Sequence, residues 1–355
     1  MTTITAHEPS RGLRALARGA RAYSTVFAAG PAAPYLSRAN PVRRVGYDLD
    51  LVVDGRTEEA DDVVSLALRH PDGDALPRWR PGAHLDVFLP SGAQRQYSLC
   101  GDPTDRSRYR IAVRRISDGG GGSVEIHDRV RVGDRITVRG PRNAFPFVDV
   151  EDYLFVAGGI GITPILPMVR EASRRGARWR LVYLGRSLAT MPFLDELRDV
   201  PGGRLEVRPD TDFGIPDAAE LLALAEPGAA IYLCGPTPLI DAARALQPLL
   251  STTSSLHSER FSAPPVVGGR PFSVRLARTG VTVPVDADES ALAAIRRAVP
   301  GVRYSCQQGF CGSCKHRVLE GTVEHRDTKL RPAERETEML ICVSRAEGDA
   351  LTIDL

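Results

Sequence analysis

The chain has 355 residues and a mass of 38.5 kDa, with 43% hydrophobic and 25% charged residues, a balance that excludes a disordered, collagen-like or coiled-coil chain. Lys+Arg 46 against Asp+Glu 44 leaves a formal charge of +2. The arginines are interleaved with acids, so no nucleic-acid surface is expected.

Residues 1–44 form an N-terminal extension with seven arginines and one acid, Glu8. Leu13, Leu16, Ala17, Ala20, Tyr23 and Phe27 recur at helical spacing, which predicts one short amphipathic helix. No signal peptide is read, because Ala22 to Pro34 is broken by Ser24, Thr25, Gly30 and Pro31; a cytoplasmic protein is expected.

Residues 45–148 read as short strands at Tyr47–Val53, Val63–Arg69, His84–Leu89, Arg95–Cys100, Tyr109–Arg115 and Asp134–Arg139. Turns at Pro81-Gly82, Ser91-Gly92 and Gly101-Asp102-Pro103 separate them, and one helix, Ser123–Val130, follows four glycines. This pattern predicts an antiparallel barrel.

Over 149–262, strands Tyr153–Ala157, Trp179–Leu184, Arg204–Arg208 and Ala230–Cys234 alternate with helices Thr163–Arg175, Phe193–Asp199, Ala218–Leu224 and Thr237–Leu250. Such alternation predicts a parallel sheet with helices on its faces. Tyr153 to Val169 is the longest uncharged stretch, but it is short for a membrane span and is interrupted by Gly158, Gly159, Gly161, Pro164 and Pro167. A linker around Ser262-Ala263-Pro264-Pro265 and Gly268-Gly269 leads to residues 270–355. There Phe272–Ala277, Val281–Val285 and a helix Ser290–Ala298 precede a cysteine loop, an α+β arrangement.

Cys306, Cys311 and Cys314 have the spacing C-x4-C-x2-C, and Cys342 lies 28 positions on. This is the plant-type [2Fe–2S] pattern: one compact loop and a distant residue bring four thiolates to two irons. Gly309 and Gly312 let backbone N–H groups approach the sulfurs. An all-cysteine zinc site is the alternative, although it ordinarily has two C-x2-C pairs and only one is present.

Gly158-Gly159-Ile160-Gly161-Ile162-Thr163-Pro164 follows a strand and opens a helix, with Thr163 as the expected cap and Pro164 in the first turn. Cys234-Gly235-Pro236 forms a second turn of this kind. Both belong at the carboxyl edge of one parallel sheet, where nucleotides bind; ordinary turn glycines are the alternative. In the barrel, Arg95, Tyr97 and Leu99 share one strand face and Ser98 takes the other, and Gly119 to Ser123 is a candidate phosphate nest.

Taken in order, Arg95-Gln96-Tyr97-Ser98-Leu99, Gly121-Gly122-Ser123, Gly158 to Pro164, Cys234-Gly235-Pro236 and the cysteine loop resemble the phthalate dioxygenase reductase family over residues 42–355. Tyr304 to Cys314, Glu324-His325-Arg326-Asp327 and Ile341 to Arg345 match it as well. The resemblance implies a flavin-binding barrel, an NAD-binding α/β domain and a β-grasp ferredoxin domain. It implies FMN, with FAD as the alternative, a [2Fe–2S] cluster, and NADH, with NADPH as the alternative.

By the same resemblance, Arg95 would bind the flavin phosphate, Tyr97 and Leu99 would support the flavin, and Ser98 would face its reactive edge. Gly121, Gly122 and Ser123 would hold the phosphate. Gly158, Gly159, Gly161, Thr163 and Pro164 would cradle the dinucleotide, with Tyr183, Arg186 and Ser187 near the adenosine. Arg186-Ser187 suits a ribose or a 2′-phosphate. Cys234, Gly235 and Pro236 would lie near the nicotinamide, and Phe261 would cover the flavin. Ile215 stands where relatives often carry a basic residue. Cys306, Cys311, Cys314 and Cys342 would ligate the irons.

The expected activity is electron transfer from NADH to a partner oxygenase, Rieske-type or P450, by a monomer without a transmembrane segment. An FAD enzyme similar to phenylacetyl-CoA epoxidase reductases, a self-contained oxidase and a redox-sensing module are the alternatives.

Overall fold

The computed structural model describes residues 47–117, 121–249, 255–304 and 306–355. The helix expected within 1–44 lies outside these residues, as do Gly119 and Gly120.

The first sheet runs in the order β4-β3-β6-β1-β2-β5. Its strands are β1 (Tyr47–Ala60), β2 (Val63–Arg69), β3 (Ala83–Phe88), β4 (Gln94–Ser98), β5 (Arg108–Arg114) and β6 (Arg135–Asn143). All pairings are antiparallel, and a bridge between Leu99 and Ile111 closes the sheet into a barrel. Leu51, Val53, Leu66, Leu68, Leu85, Val87, Ile111 and Val138 fill its interior, as strand alternation dictates. Strand β1 continues past Val53, where the apolar alternation stops. Irregularities at Val53/Gly55 and Glu58/Ala60 let it bend and keep pairing with β2.

The second sheet is parallel, in the order β11-β10-β7-β8-β9. It comprises β7 (Asp152–Gly158), β8 (Arg178–Gly185), β9 (Gly203–Pro209), β10 (Ala230–Cys234) and β11 (Ser255–Glu259). The helix Ile162–Arg174 covers one face; Ala218–Leu222 and Thr237–Leu246 cover the other. The last helix stops short of Leu250 because Pro248 has no N–H to give the Arg244 carbonyl; a 3-10 turn, Gln247–Leu249, follows. Strand β11 has no apolar pattern of its own, and its conformation is imposed by pairing with β10. The chain order reverses between β7 and β10, which opens a crevice at the carboxyl ends of those strands.

The third sheet, β13-β12-β18-β14-β16, is mixed. It contains β12 (Phe272–Leu276), β13 (Thr282–Val285), β14 (Lys315–Glu320), β16 (Glu338–Leu340) and β18 (Ala350–Ile353); β12 and β18 pair in parallel and the rest are antiparallel. The helix Ala291–Ala298 buries Leu292 and Ile295 against Val274, Leu340, Leu351 and Ile353. A short ladder of β15 (Val323–Glu324) and β17 (Arg345–Ala346) lies beside it. Among the described residues no helix is long and apolar enough to cross a membrane.

Candidate active site and cysteine loop

A cavity of about 250 Å³ opens beside β4 and is lined by Arg95, Gln96, Tyr97, Ser98, Gly122, Ser123 and Phe261. The Arg95 side chain lies so close over Gly122 that a Cβ there would sit 2.7 Å from Nε. Gly122 begins the helix Gly122–Arg129, and Gly121 precedes it in the left-handed region at φ 74. A guanidinium at a helix N-terminus is a receptor for a phosphate. Ser123 also lines this cavity, but its Oγ accepts from the Ile116 amide at 3.0 Å and so ties the loop. Leu99 is fully buried in the barrel core, behind the cavity wall.

Ser98 is buried and hydrogen-bonded to the Glu259 carboxyl. Part of the Glu259 stem reaches the surface, but its Oε2 is sealed without a partner, and burial pushes its pKa up to about 8. The carboxyl therefore holds a proton at neutral pH. Cys234 pairs with Glu259 across β10 and β11, and its thiol pKa is raised well above normal by burial and then by Glu259. Cys234 is buried and contributes to the site behind the cavity surface. In the sequence Glu259 is one acid ahead of Arg260-Phe261 with no pattern that marks it, and it acquires a role only once β11 is placed beside β10. An orphaned buried oxygen, a guanidinium over a helix end and a half-exposed aromatic at the mouth fit a flavin.

A larger cavity of about 710 Å³ lies at the carboxyl edge of the parallel sheet. Gly158, Gly159 and Gly161 at the end of β7, Gly185 and Arg186 at the end of β8, and Gly235 and Pro236 after β10 line it. The two glycine turns press together. A Cβ on Gly161 would meet the Cys234 carbonyl oxygen at 2.2 Å, and one on Gly158 would meet Pro236 Cδ at 2.6 Å. Only glycine permits this approach.

Thr163 does not cap the helix. A 3-10 turn over Gly159–Gly161 makes Gly161 the residue before the helix, and Thr163 Oγ1 donates to the Ile160 carbonyl at 2.9 Å instead. Thr163 lines the smaller cavity, and Pro164 is buried within the helix. Tyr183 is fully buried, its hydroxyl 3.3 Å from the Gly159 carbonyl, so it props the turn from beneath. Ser187 is not among the lining residues; it closes a short turn with Thr190.

Phe261, Ile160 and Arg114 line both cavities and form their common wall. Burial, and then the Arg186 guanidinium, lower the pKa of Arg114. Two adjoining cations beside a glycine turn fit a diphosphate. Arg114 was not singled out in the sequence, where it is one of many interleaved arginines.

In the cysteine loop the thiols lie in two pairs, Cys306 with Cys311 and Cys314 with Cys342, and Cys342 is in electrostatic contact with Cys306. The hydrogen bond from Cys306 draws Cys311 down to about 5, while Cys306 and Cys342 are pushed up by their partners. Two thiol pairs suit two irons, each held by two protein sulfurs. Gln307, Gly309 and Gly312 are left-handed at φ 55, 79 and 79. That curvature turns the amides of Gln308 and Ser313 onto Cys306 Sγ at 3.3 Å and Cys311 Sγ at 3.4 Å. Gly309 packs on the Asp327 turn, where a Cβ would lie 2.8 Å from Val343 Cγ2.

The loop faces the barrel. Gln94 Nε2 donates to the Tyr304 carbonyl at 2.9 Å, and Gln308 Nε2 donates to the Arg260 carbonyl, beside Phe261, at 2.6 Å. Both cavities and the cysteine loop thus adjoin one edge of the barrel.

Comparison with known proteins agrees with this arrangement. Residues 50–147 match the oxidoreductase FAD-binding domain, and residues 274–347 match the 2Fe-2S iron-sulfur cluster binding domain. The chain is 38% identical to phthalate dioxygenase reductase of Burkholderia cepacia, over 86% of this chain and 97% of that protein. It is 39% identical to the phthalate 4,5-dioxygenase oxygenase reductase subunit of Pseudomonas putida, over 86% and 96%. A solved phthalate dioxygenase reductase structure matches at a TM-score of 0.65 and 37% identity, over 87% of this chain and 98% of that one. An intact type IV self-sufficient cytochrome P450 monooxygenase matches at 0.68 and 38%, over 92% of this chain and 45% of that one. On this evidence the chain belongs to the phthalate dioxygenase reductase family of flavin- and [2Fe–2S]-containing oxidoreductases.

Proposed function

We propose that this chain takes electrons from NADH and passes them, through FMN and a [2Fe–2S] cluster, to a separate terminal oxygenase of Rieske or P450 type. The observation that carries this reading is the shared wall of Phe261, Ile160 and Arg114 between the two cavities, with Gln308 of the cysteine loop bonded beside Phe261. Relatives named as reductase subunits of toluene-4-sulfonate and carnitine monooxygenase systems support an oxygenase as the final acceptor.

A bound flavin accepts electrons in pairs and releases them singly, which joins a two-electron donor to a one-electron acceptor. Arg95 and the helix at Gly122 hold the flavin phosphate, and Tyr97 and Ser98 flank the ring. The Glu259 carboxyl, hydrogen-bonded to Ser98, holds a proton and supplies it through the Ser98 hydroxyl at the buried edge of the site. Gly159 and Gly161 admit the dinucleotide to the sheet edge, Arg114 and Arg186 neutralise its diphosphate, and Gly235-Pro236 bounds the nicotinamide end. Phe261 shields the flavin cavity and yields its place when NADH arrives. Cys306 and Cys311 would hold one iron, and Cys314 and Cys342 the other. A cytoplasmic, monomeric protein is our assignment.

The purified chain is expected to contain one flavin and about two irons and two acid-labile sulfides, and to reduce cytochrome c with NADH. A folded chain that stays colourless after flavin and cluster reconstitution would refute the reading. Extraction and identification of the flavin decides between FMN and FAD.

A further inference from the structure

Arg142 of β6 stands opposite His84 of β3. Its Nη1 is 3.0 Å from Oδ2 of Asp86, whose side chain is fully buried. Asp86 Oδ1 also accepts from Gln96 Nε2 at 2.8 Å, and that nitrogen lies 3.0 Å from His84 Nε2. Arg142 is therefore fixed in the barrel by a buried carboxylate. It also leaves the barrel: Nη1 donates to Ser313 Oγ, in the cysteine loop, at 3.0 Å.

Ser313 stands between Cys311 and Cys314. Its amide donates to Cys311 Sγ at 3.4 Å. A guanidinium can only donate, so Ser313 Oγ accepts from Arg142. Ser313 thus takes a charge-assisted bond from the barrel on its side chain and gives a hydrogen bond to a ligand sulfur from its backbone. Anchored by Oγ, the loop keeps the Ser313 amide aimed at Cys311 Sγ.

We propose that Arg142, a residue of the flavin barrel, is a positioning residue for the iron–sulfur centre: by holding the Ser313 hydroxyl it keeps the Ser313 amide on Cys311 Sγ and raises the electron affinity of the centre while the cysteine-bearing domain rests on the barrel. Hydrogen bonds to ligand sulfur favour the reduced state because they stabilise its extra negative charge. Contact with the barrel thus favours electron flow toward the cysteine loop. Asp86 offsets part of the Arg142 charge, so loss of Arg142 leaves a buried anion facing the loop and moves the affinity in the same direction.

The inference rests on the family reading, and the test separates the two. The intact chain, loaded with flavin and cluster, is titrated with reductant and the reduced cluster is followed by electron paramagnetic resonance. Ser313→Ala, which leaves the Arg142–Asp86 pair in place, is expected to shift the flavin-to-cluster electron distribution tenfold toward the flavin, equivalent to about 59 mV for a one-electron couple. Ser313→Thr keeps the hydroxyl and the wild-type potential. Arg142→Gln keeps a donor without the charge and lowers the potential in the same direction; Arg142→Met lowers it further. A cluster whose potential is the same in Ser313→Ala and wild type, or in Arg142→Gln and wild type, overturns the proposal. A wild-type chain with no cluster signal overturns the family reading instead.

Discussion

Against the parallel sheet, the barrel contributes Val63, Cys100, Ala112 and Phe145 to an apolar core shared with Phe155, Ile165 and Tyr183. Among the described residues it contributes nothing to the apolar core of the cysteine-bearing domain, which is built from residues 272–355. The polar contacts differ in the same sense. At the first seam, Arg110 forms a two-pronged bond to Glu196 at 2.7 and 2.8 Å, its guanidinium lies 4.7 Å from the Phe193 ring, and Arg170 joins the same carboxylate. At the second seam the contacts are hydrogen bonds between Gln94 and Tyr304 and from Arg142 to Ser313, while Gln308 of the same loop donates to Arg260 at the end of the parallel sheet. The difference follows from what crosses each seam. Hydride transfer needs reacting atoms held to a fraction of an ångström, so the cavities that share Phe261 are welded together. A single electron needs no such contact, and a polar interface of the transient kind is sufficient there.

The sharpest way to break this comparison is to destroy the cysteine site alone. Cys311→Ser is expected to reduce NADH-dependent cytochrome c reduction roughly 1000-fold, well beyond the 10–100-fold typical of outer-shell changes, while NADH still reduces the flavin at close to the wild-type rate. If flavin reduction collapses as well, measured by anaerobic stopped-flow bleaching, the second seam is not the loose one.

Within the welded half, Glu259→Gln is expected to slow flavin reduction about 100-fold, the scale of a lost positioned proton donor. The wild-type rate should hold below pH 8 and fall above it, because the Glu259 pKa is raised to about 8. The variant should be slow and without that limb. The same raised pKa makes Glu259 destabilising as pH climbs from its ordinary carboxyl range through about 8, since the folded chain then holds the proton more tightly than the unfolded one. A wild-type profile that is flat through pH 9 would remove Glu259 from the chemistry.

Which of these features could be read in advance depends on how local they are. The cysteine ligands were legible because three of them fall in one loop, and β10 was legible because Ala230–Cys234 is a wholly buried apolar run ended by a glycine. Strand β11 and Glu259 were not, since Ser255–Glu259 becomes a strand only by pairing with β10, and the carboxyl is sealed only once that pairing exists. Thr163 was misread as a cap because a 3-10 turn at Gly159–Gly161 shifts the helix start. Contacts such as Gln94 with Tyr304 join residues 210 apart, and no periodicity records them.

Glu196→Gln tests the welded seam by stability. The change leaves the Arg110 and Arg170 guanidiniums facing each other, in a site where the paired side chains are 22% and 31% exposed. We expect a loss of about 2 kcal/mol, below the fully buried range because solvent still reaches the pair. For a unit of this size that lowers the melting temperature by roughly 4–8 °C. Flavin release should move by this amount and loss of cluster absorbance should not. If both transitions move together, the two seams are energetically one.

The smallest expected effect lies at the polar seam. Tyr304→Phe removes the hydroxyl that donates to the Gln94 carbonyl at 3.2 Å and leaves the ring against Arg296, whose guanidinium carbon is 4.3 Å from its centroid. The lost bond is worth about 0.5–1.5 kcal/mol at most, and water can replace it at the partly exposed Gln94. Flavin release should keep its temperature, because no member of the barrel core touches the change. The rate of cluster reduction by the flavin should fall about threefold, in line with a seam that opens slightly more often. A drop in barrel stability comparable to that of Glu196→Gln would mean that the cysteine-bearing domain braces the barrel, and the contrast between the two seams would then lie in their chemistry and not in their strength.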